Sequence, residues 1–304
     1  MRRAAIAVAA VIVAAAALFW VLTIPPRLPA DAIAAEASGD AGRGARIFWA
    51  GGCASCHAAA GARGDDRLRL GGRPLATPFG QFQAPNISPD PDAGIGGWRI
   101  ADFANAMQRG VDPDGRHLYP AFPYNSYIKM TKGDIADLFA YLRTLPPVAT
   151  RTPDTALGFP YSIRRGVGLW KLMYLGDESP IVALPAGASA AVVRGRYLVE
   201  GPGHCGQCHT PRMLQGLGGL DTARWLGGAA NPEGKGRIPN ITPAKSGIGA
   251  WSAAEIETYL ETGFTPDYDS VGGSMVEVQQ NLAKLPKADR AAIAAYLKSV
   301  PAVG

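Results

Sequence analysis

Two cysteine pairs, each followed at once by a histidine, are the residues whose spacing predicts chemistry in this chain. They are Cys53-Ala54-Ser55-Cys56-His57 and Cys205-Gly206-Gln207-Cys208-His209. Two thiols about one helical turn apart can both form thioethers with one haem, and the adjacent histidine then lies beneath the iron and ligates it. The spacing therefore predicts two covalently attached haem c groups, with His57 and His209 as proximal iron ligands.

Two other kinds of site also use Cys-x-x-Cys pairs, namely zinc sites and redox-active disulfides. A zinc site built from both pairs would have to join residues 152 positions apart, such as Cys53 and Cys205. A thioredoxin-like motif would lie on a turn from a strand to a helix, and the sequence shows no such strand. A structural disulfide between residues three apart is strained. Haem attachment is therefore the favoured interpretation, and it uses all four cysteines of the chain.

The segment that carries the first motif recurs later in the chain. Pro85-Asn86-Ile87-Ser88-Pro89 returns as Pro239-Asn240-Ile241-Thr242-Pro243, and Gly94-Ile95-Gly96-Gly97-Trp98 returns as Gly247-Ile248-Gly249-Ala250-Trp251. These matches follow the cysteine motifs in the same order and at nearly the same offset. The repeat predicts two homologous domains, at residues 38–147 and 188–304, joined by a linker over 148–187.

The proline that opens each repeated loop is a candidate partner of the proximal histidine. We expect the carbonyls of Pro85 and Pro239 to accept hydrogen bonds from His57 and His209. Such a bond would fix the orientation and the basicity of the imidazole.

Each repeat is predicted to be helical, which makes the fold class all-α. Apolar periodicity predicts helices over 41–49, 100–109 and 132–145 in the first repeat and over 190–199, 253–262 and 287–300 in the second. Ser189 and Ser252 are predicted to cap the helices that follow them. Three short helices in about 110 residues bury little apolar surface, so a large prosthetic group would complete each core.

Residues 1–27 are predicted to form a transmembrane anchor. The uncharged stretch from Ala4 to Ile24 would span about 31 Å as a helix, which matches a hydrocarbon core of about 30 Å. Arg2 and Arg3 precede it, so we expect a single pass through the inner membrane with the haem domains in the periplasm. A cleaved signal peptide is the alternative, and it would export the remainder of the chain as well.

The linker contains an apolar stretch at 163–174, which predicts a helix packed against one domain; a membrane-surface role is the less favoured alternative. The chain has a net charge of +5, and its longest basic runs are pairs such as Arg164-Arg165. Nucleic-acid binding is therefore not predicted. The carboxylates show no paired arrangement typical of acid–base catalysis, so we expect an electron-transfer protein rather than an enzyme.

Together with the stretch Gly115-Arg116-His117-Leu118-Tyr119-Pro120-Ala121-Phe122-Pro123-Tyr124, these motifs carry a family likeness. The chain resembles the di-haem and tri-haem cytochrome c proteins that serve membrane-bound alcohol, aldehyde and gluconate dehydrogenases of proteobacteria. The resemblance covers nearly everything after the anchor, and it implies tandem class I cytochrome c domains with His/Met iron ligation. It differs in haem count, because those dehydrogenase subunits usually carry three haem sites and this chain carries two.

The methionine ligands that the resemblance implies are not equally clear in the two repeats. In the second repeat Met275 is predicted, on a glycine-rich loop before the last helix. The corresponding residue of the first repeat is Phe122, where relatives often carry methionine, so the chain departs from the pattern there. Met130 is predicted to ligate haem 1 instead. Met107, His117 or the absence of a protein ligand are the alternatives.

The predicted function is a relay of single electrons between a dehydrogenase or respiratory complex and a terminal acceptor. Partners of such a relay are a membrane dehydrogenase, a terminal oxidase or another cytochrome. The alternative is a di-haem, peroxidase-like enzyme with an open sixth position at haem 1, which the loss of methionine at Phe122 favours. A thiolate-ligated enzyme is excluded, because the haems use every cysteine.

Overall fold

The computed structural model describes residues 1–29, 32, 38–77, 79–231, 234 and 236–304. Its helices are α1 (Arg2–Leu22), α2 (Ala41–Ala50), α3 (Cys53–His57), α4 (Ile100–Arg109), α5 (Tyr124–Tyr127), α6 (Lys132–Leu142), α7 (Val167–Tyr174), α8 (Ala190–Glu200), α9 (Gly206–His209), α10 (Ala253–Thr262), α11 (Met275–Leu282) and α12 (Lys287–Leu297). Its strands are β1 (Arg73–Thr77), β2 (Gly80–Ala84), β3 (Ala156–Leu157), β4 (Ala229–Ala230) and β5 (Arg237–Ile238). Turns of 3₁₀ helix lie at Gly64–Leu68, Arg164–Gly166, Leu214–Gly216 and Thr222–Arg224.

Helix α1 contains 21 residues, none of them buried, and it is long and apolar enough to cross a membrane. It ends where Thr23 turns its hydroxyl back onto the carbonyl of Phe19, 2.6 Å away. The predicted N-terminal helix is therefore present, two residues earlier than the apolar stretch suggested.

A close helix crossing organises each half of the remaining chain, the first half being residues 38–147 and the second 188–304. Helix α2 packs against α6, and α8 packs against α12. Glycine lies at both crossings, where a Cβ on Gly44 would come within 1.9 Å of the Asp137 carbonyl oxygen and one on Gly195 equally close to that of Ala292. Each crossing carries its own apolar core, one around Phe48 and the other around Tyr296.

The six predicted helices are confirmed as α2, α4, α6, α8, α10 and α12, with ends shifted by up to three residues. The predicted caps are also confirmed. The hydroxyl of Ser189 accepts a hydrogen bond from the Val192 amide, and that of Ser252 accepts one from the Glu255 amide. These caps satisfy amides that the first turn of a helix leaves without a partner.

The expectation of a purely helical fold was wrong in one respect, because the structure contains short sheets. Strand β1 pairs antiparallel with β2, and β2 pairs with β3 of the linker, where Gly80 faces Leu157. Strands β4 and β5 form a second small ladder. Strands of two to five residues leave little periodicity to detect, and the pairing of β2 with β3 depends on a contact across more than seventy residues.

Helix α7 confirms the helix predicted in the linker. It packs on the first half, where the ammonium group of Lys171 donates hydrogen bonds of 2.7 and 2.6 Å to the carbonyls of Arg109 and Gly110. Those carbonyls lie at the end of α4, so Lys171 caps that helix from outside. Burial lowers the pKa of Lys171 to about 7.

Replacing Gly44 by alanine tests the close crossing of α2 and α6. The added methyl group would overlap the Asp137 carbonyl and lie 2.8 Å from the Tyr141 Cβ. We expect Gly44→Ala to lower the free energy of unfolding by about 1–3 kcal/mol, the usual cost of overpacking. Thermal unfolding followed by circular dichroism measures it. Gly166→Ala is the control, because a Cβ there meets nothing within 4 Å, and equal melting temperatures for the two variants would contradict the prediction.

Candidate haem sites

Each cysteine motif lies at a short helix that follows a longer one, with Cys205 as the N-cap of α9. In the first half only Gly51 and Gly52 separate α2 from α3, and Gly52 has a φ of 58°. Glycine adopts this left-handed conformation without the penalty that a side chain brings. The turn brings the two cysteines and the histidine onto one helical turn against the core, and α9 carries Cys208 and His209 in the same way.

The histidine of each motif is held by the proline carbonyl predicted from the sequence. His57 Nδ1 lies 2.7 Å from the carbonyl oxygen of Pro85, and His209 Nδ1 lies 2.8 Å from that of Pro239. A carbonyl only accepts hydrogen bonds, so Nδ1 carries the proton and the lone pair is on Nε2, the nitrogen left to bind a metal. The prediction for Pro85 and Pro239 is thus confirmed.

The asparagine after each proline makes equivalent hydrogen bonds in the two repeated loops. Asn86 Nδ2 donates 2.6 Å to the Val148 carbonyl, and Asn240 Nδ2 donates 2.7 Å to that of Val303. Each asparagine therefore ties its loop to the segment that follows the last helix of its half. In both halves the side-chain oxygen also accepts a hydrogen bond from the amide two residues later, an Asx turn that fixes the shape of the loop.

Burial controls the protonation of the motif residues. It lowers the pKa of His57 to about 4 and lowers the pKa of His209, so both imidazoles are neutral and able to ligate a metal at neutral pH. Burial raises the pKa of Cys53 and of Cys205 to about 12. A redox-active Cys-x-x-Cys pair depends on a lowered thiol pKa, so this environment disfavours that alternative.

The chemistry of these residues fits covalent haem. None of the four cysteines is in a disulfide, and each pair has a neutral histidine beside it with Nε2 available. Among the residues that the structure describes, no three His, Cys, Asp or Glu side chains gather as they would around zinc. The zinc alternative therefore has no support in the described part of the chain.

The two predicted methionine ligands lie in different surroundings. Met275 is the first residue of α11 rather than part of a loop, and it packs with Cys205 against the second core. Met130 lies in the first core, only 3% exposed, two residues before α6. Leu285 is also 3% exposed and lies two residues before α12, so Met130 shares the register of a core leucine. Phe122 is partly buried and packs against the first core.

The alternative ligand His117 forms a hydrogen bond with the end of α1. Its Nε2 lies 2.9 Å from the carbonyl oxygen of Thr23, at the end of α1, and burial lowers its pKa. Met107 lies within α4 and is buried in the first core. Neither residue gains support as a ligand.

Each cysteine motif forms hydrogen bonds with a helix of the opposite half. Ser55 Oγ accepts a 2.7 Å hydrogen bond from Asn281 Nδ2 of α11. Gln207, the equivalent residue of the second motif, donates from Nε2 to Ser126 Oγ at 2.7 Å and to Asn125 Oδ1 at 3.0 Å on α5.

Further contacts between the two halves surround these hydrogen bonds. Arg67 also donates to the Asn281 side chain, the Arg73 guanidinium pairs with Glu277 at 3.1 Å, and the ring of His204 stacks on Tyr127 with centroids 5.6 Å apart. Sequence reasoning did not identify this interface. Its one signal in the sequence is that the second spacer residue of both motifs is polar.

Comparison with known proteins identifies the family. A family profile for cytochrome c matches residues 41–146. A di-haem cytochrome c-type protein of Cereibacter sphaeroides is 53% identical over 305 residues, which cover the whole of both chains. This chain belongs to the di-haem c-type cytochromes. The cytochrome carries two covalently bound haem c groups, as the two motifs predict.

Longer relatives extend the resemblance to dehydrogenase subunits. The fructose dehydrogenase cytochrome subunit of Gluconobacter japonicus is 38% identical over 86% of the cytochrome and 52% of that subunit. The gluconate 2-dehydrogenase cytochrome c subunit of Pantoea cypripedii is 35% identical over 86% of the cytochrome and 59% of its own length. The cytochrome thus spans little more than half of these subunits.

Removing one cysteine pair tests which residues attach each haem. We expect the intact mass of Cys53→Ala/Cys56→Ala to show one haem instead of two, because no thiol remains to form a thioether in the first half. Ser55→Ala, in the same short helix, is the matched control and should keep both haems. His57→Gly should also keep both masses while its absorption spectrum changes, since the thioethers persist and the iron loses a ligand. Two haems on the cysteine variant would contradict the assignment.

Proposed function

We propose that the cytochrome relays single electrons from a membrane dehydrogenase to a terminal oxidase or another cytochrome. In this proposal α1 is a single-pass anchor in the inner membrane, and residues 38–147 and 188–304 are two haem domains in the periplasm. The cytochrome itself rearranges no substrate bonds. Support comes from the relatives, since those in Gluconobacter japonicus and Pantoea cypripedii are cytochrome subunits of dehydrogenases.

The observation that carries the proposal is that each cysteine motif bonds to a helix of the opposite half. Each bound haem c supplies a one-electron couple between ferric and ferrous iron. Ser55 and Gln207 lie inside the two attachment motifs, and each bonds directly to a helix of the opposite half. The residues that hold one haem are therefore one hydrogen bond from the half that holds the other, which suits the passage of electrons between them.

The proposed iron ligands are His57 and Met130 for haem 1 and His209 and Met275 for haem 2. The two histidines present a neutral imidazole whose Nδ1 is already bound by a carbonyl. A thioether on the opposite side raises the reduction potential, as a carrier late in a respiratory chain requires. Support for Met275 comes from its packing against the second core, the core that Cys205 also packs against.

Substrate-driven reduction in membranes tests the relay. Membrane vesicles that contain the full chain are given an alcohol, an aldehyde or a sugar acid, while absorbance follows the haems and an electrode follows oxygen. We expect at least one substrate to reduce both haems and to support oxygen uptake that vesicles without the chain lack. The relay is contradicted if dithionite reduces the haems and none of these substrates does.

Substitutions at the hydrogen bonds between the two halves test how the two sites communicate. Asn281→Ala combined with Gln207→Ala removes the direct bonds, at a cost of about 0.5–1.5 kcal/mol for each lost hydrogen bond. We expect slower oxygen uptake with the same substrate, while both haems stay attached and reducible. Gln279→Ala is the matched control, because this buried amide of α11 bonds within its own half, to carbonyls of α10 at 2.8 and 3.3 Å. Equal slowing in both variants would indicate a general loss of stability instead.

A second candidate function is ligand binding or peroxidase-like chemistry at haem 1. The observation in its favour is the position of Phe122 in the repeat. Phe122 follows α4 at the same distance along the chain as Met275 follows α10. Met130 instead corresponds to the core residue Leu285. The isolated bridges Val111 to His117 and Phe264 to Ser270 mark the same register in both halves. On this assignment Met130 is a core residue and no protein sulfur ligates haem 1.

Carbon monoxide binding to the reduced protein separates the two assignments of haem 1. If Met130 ligates the iron, the wild type binds none and Met130→Leu binds one carbon monoxide per chain. If the position is open, the wild type binds one, Met130→Leu behaves like it, and Phe122→Met binds none because a thioether now competes. Met275→Leu is the control that opens haem 2 and should add one carbon monoxide in either case. Absorbance during titration measures the stoichiometry.

A further inference from the structure

Exposed apolar side chains are concentrated around α7. Beyond Ile24, eleven large apolar side chains among the described residues are exposed, and eight of them lie between 159 and 217 on α7 or beside it. We call these eight the apolar face: Phe159, Tyr161, Ile163, Leu172, Met173, Met213, Leu214 and Leu217. Phe159 is 82% exposed, Leu172 65% and Met173 64%. Soluble proteins rarely gather so many apolar side chains at one place unless the place contacts something.

Contacts beneath the apolar face join its parts. The Trp170 indole nitrogen donates a 3.0 Å hydrogen bond to the Leu217 carbonyl, which fixes the 213–217 loop against α7. The ring of Tyr161 packs edge-on against Phe79, with centroids 5.5 Å apart, and a Cβ on Gly216 would lie 3.9 Å from that same phenyl ring. The 159–163 segment, the 213–217 loop and α7 therefore form one surface.

The buried side of α7 is fixed against the first half, so the opposite side stays exposed. Val167 and Gly168 are buried, and the Lys171 ammonium is fixed on the carbonyls at the end of α4. Leu172 and Met173 follow Lys171 directly, so they are held on the opposite side of the helix.

The apolar face is continuous with the end of α1. The Arg165 guanidinium lies 3.6 Å from the centroid of the Trp20 ring and donates a 2.8 Å hydrogen bond to the Trp20 carbonyl. Helix α7 approaches so closely that a Cβ on Gly168 would lie 2.7 Å from the Thr23 Cα. Tryptophan, tyrosine and arginine are the residues that favour the boundary between hydrocarbon and headgroups, and here they mark the level at which α1 would leave a bilayer.

We propose that the apolar face lies in the headgroup region of the bilayer that α1 spans. This inference rests on the proposed anchor, and it adds a second contact with the lipid, of the kind that amphipathic surface helices make. Arg164 and Arg165 border the face, so anionic headgroups would add electrostatic attraction. The two contacts together would hold the haem domains in one orientation relative to the membrane instead of leaving them on a free tether.

Cysteine accessibility in the intact protein tests the inference. The full chain with its haems is placed in phospholipid nanodiscs, and single cysteines are introduced by Leu172→Cys, Leu214→Cys, Val193→Cys and Ile12→Cys. A hydrophilic maleimide modifies them, and mass spectrometry follows the rate. The native cysteines are occupied by thioethers. Val193, on α8 outside the apolar face and 43% exposed, is the matched apolar control, and unfolding in detergent checks that every introduced thiol is reactive.

We expect residues 172 and 214 to react more slowly than residue 193, although Leu172 and Leu214 are the more exposed in the chain alone. Residue 12 should stay unmodified, because the proposed anchor buries it in hydrocarbon. Rapid reaction at 172 and 214 with protection at 12 would overturn the inference and leave the anchor standing. Rapid reaction at 12 would overturn the anchor as well. Protection of 172 in native membranes but not in nanodiscs would show a protein on this surface and also overturn the inference.

Discussion

The bond between each motif histidine and a proline carbonyl is the contact around which each half of this cytochrome is arranged. It joins the short helix of the cysteines to a loop about thirty residues further along the chain. A hydrogen bond between backbone groups reinforces it in both halves, because the carbonyls of His57 and His209 each accept a 2.7 Å hydrogen bond from a glycine amide. The imidazole is thereby oriented with its proton on Nδ1, and burial keeps it neutral.

The loop that supplies this carbonyl is itself fixed by tertiary contacts. Asn86 and Asn240 tie it to the segment after the last helix of each half, and that helix crosses the first one at a glycine. The cysteine motif follows the first helix directly. A change at the crossing therefore reaches the histidine through a short series of contacts, which explains why a small apolar core can hold its metal-binding residues in one geometry.

The two halves share these internal contacts and differ in their contacts with other segments of the chain. Ser55 and Gln207, one residue of each cysteine motif, bond to helices of the opposite half and so tie the two sites together. The first half contacts α1 and the buried side of α7, through His117 and Lys171, whereas the second half meets α7 at Trp170. The first half is thus the one that contacts the end of the proposed anchor, and it is also the one in which Phe122 occupies the register of Met275.

The sequence by itself determined the local features: the haem attachment motifs, the six core helices with two of their caps, and the proline carbonyls as partners of the histidines. These follow from short-range rules, in which residue type and spacing along one segment decide the outcome. Only the tertiary structure decided the β1–β2–β3 sheet, the helical start at Met275 and the neighbours of Met130. The bonds of Ser55 and Gln207 and the apolar face around α7 belong to the same group. Each of these depends on segments brought together from distant parts of the chain, and no periodicity within a single segment records which surfaces will meet.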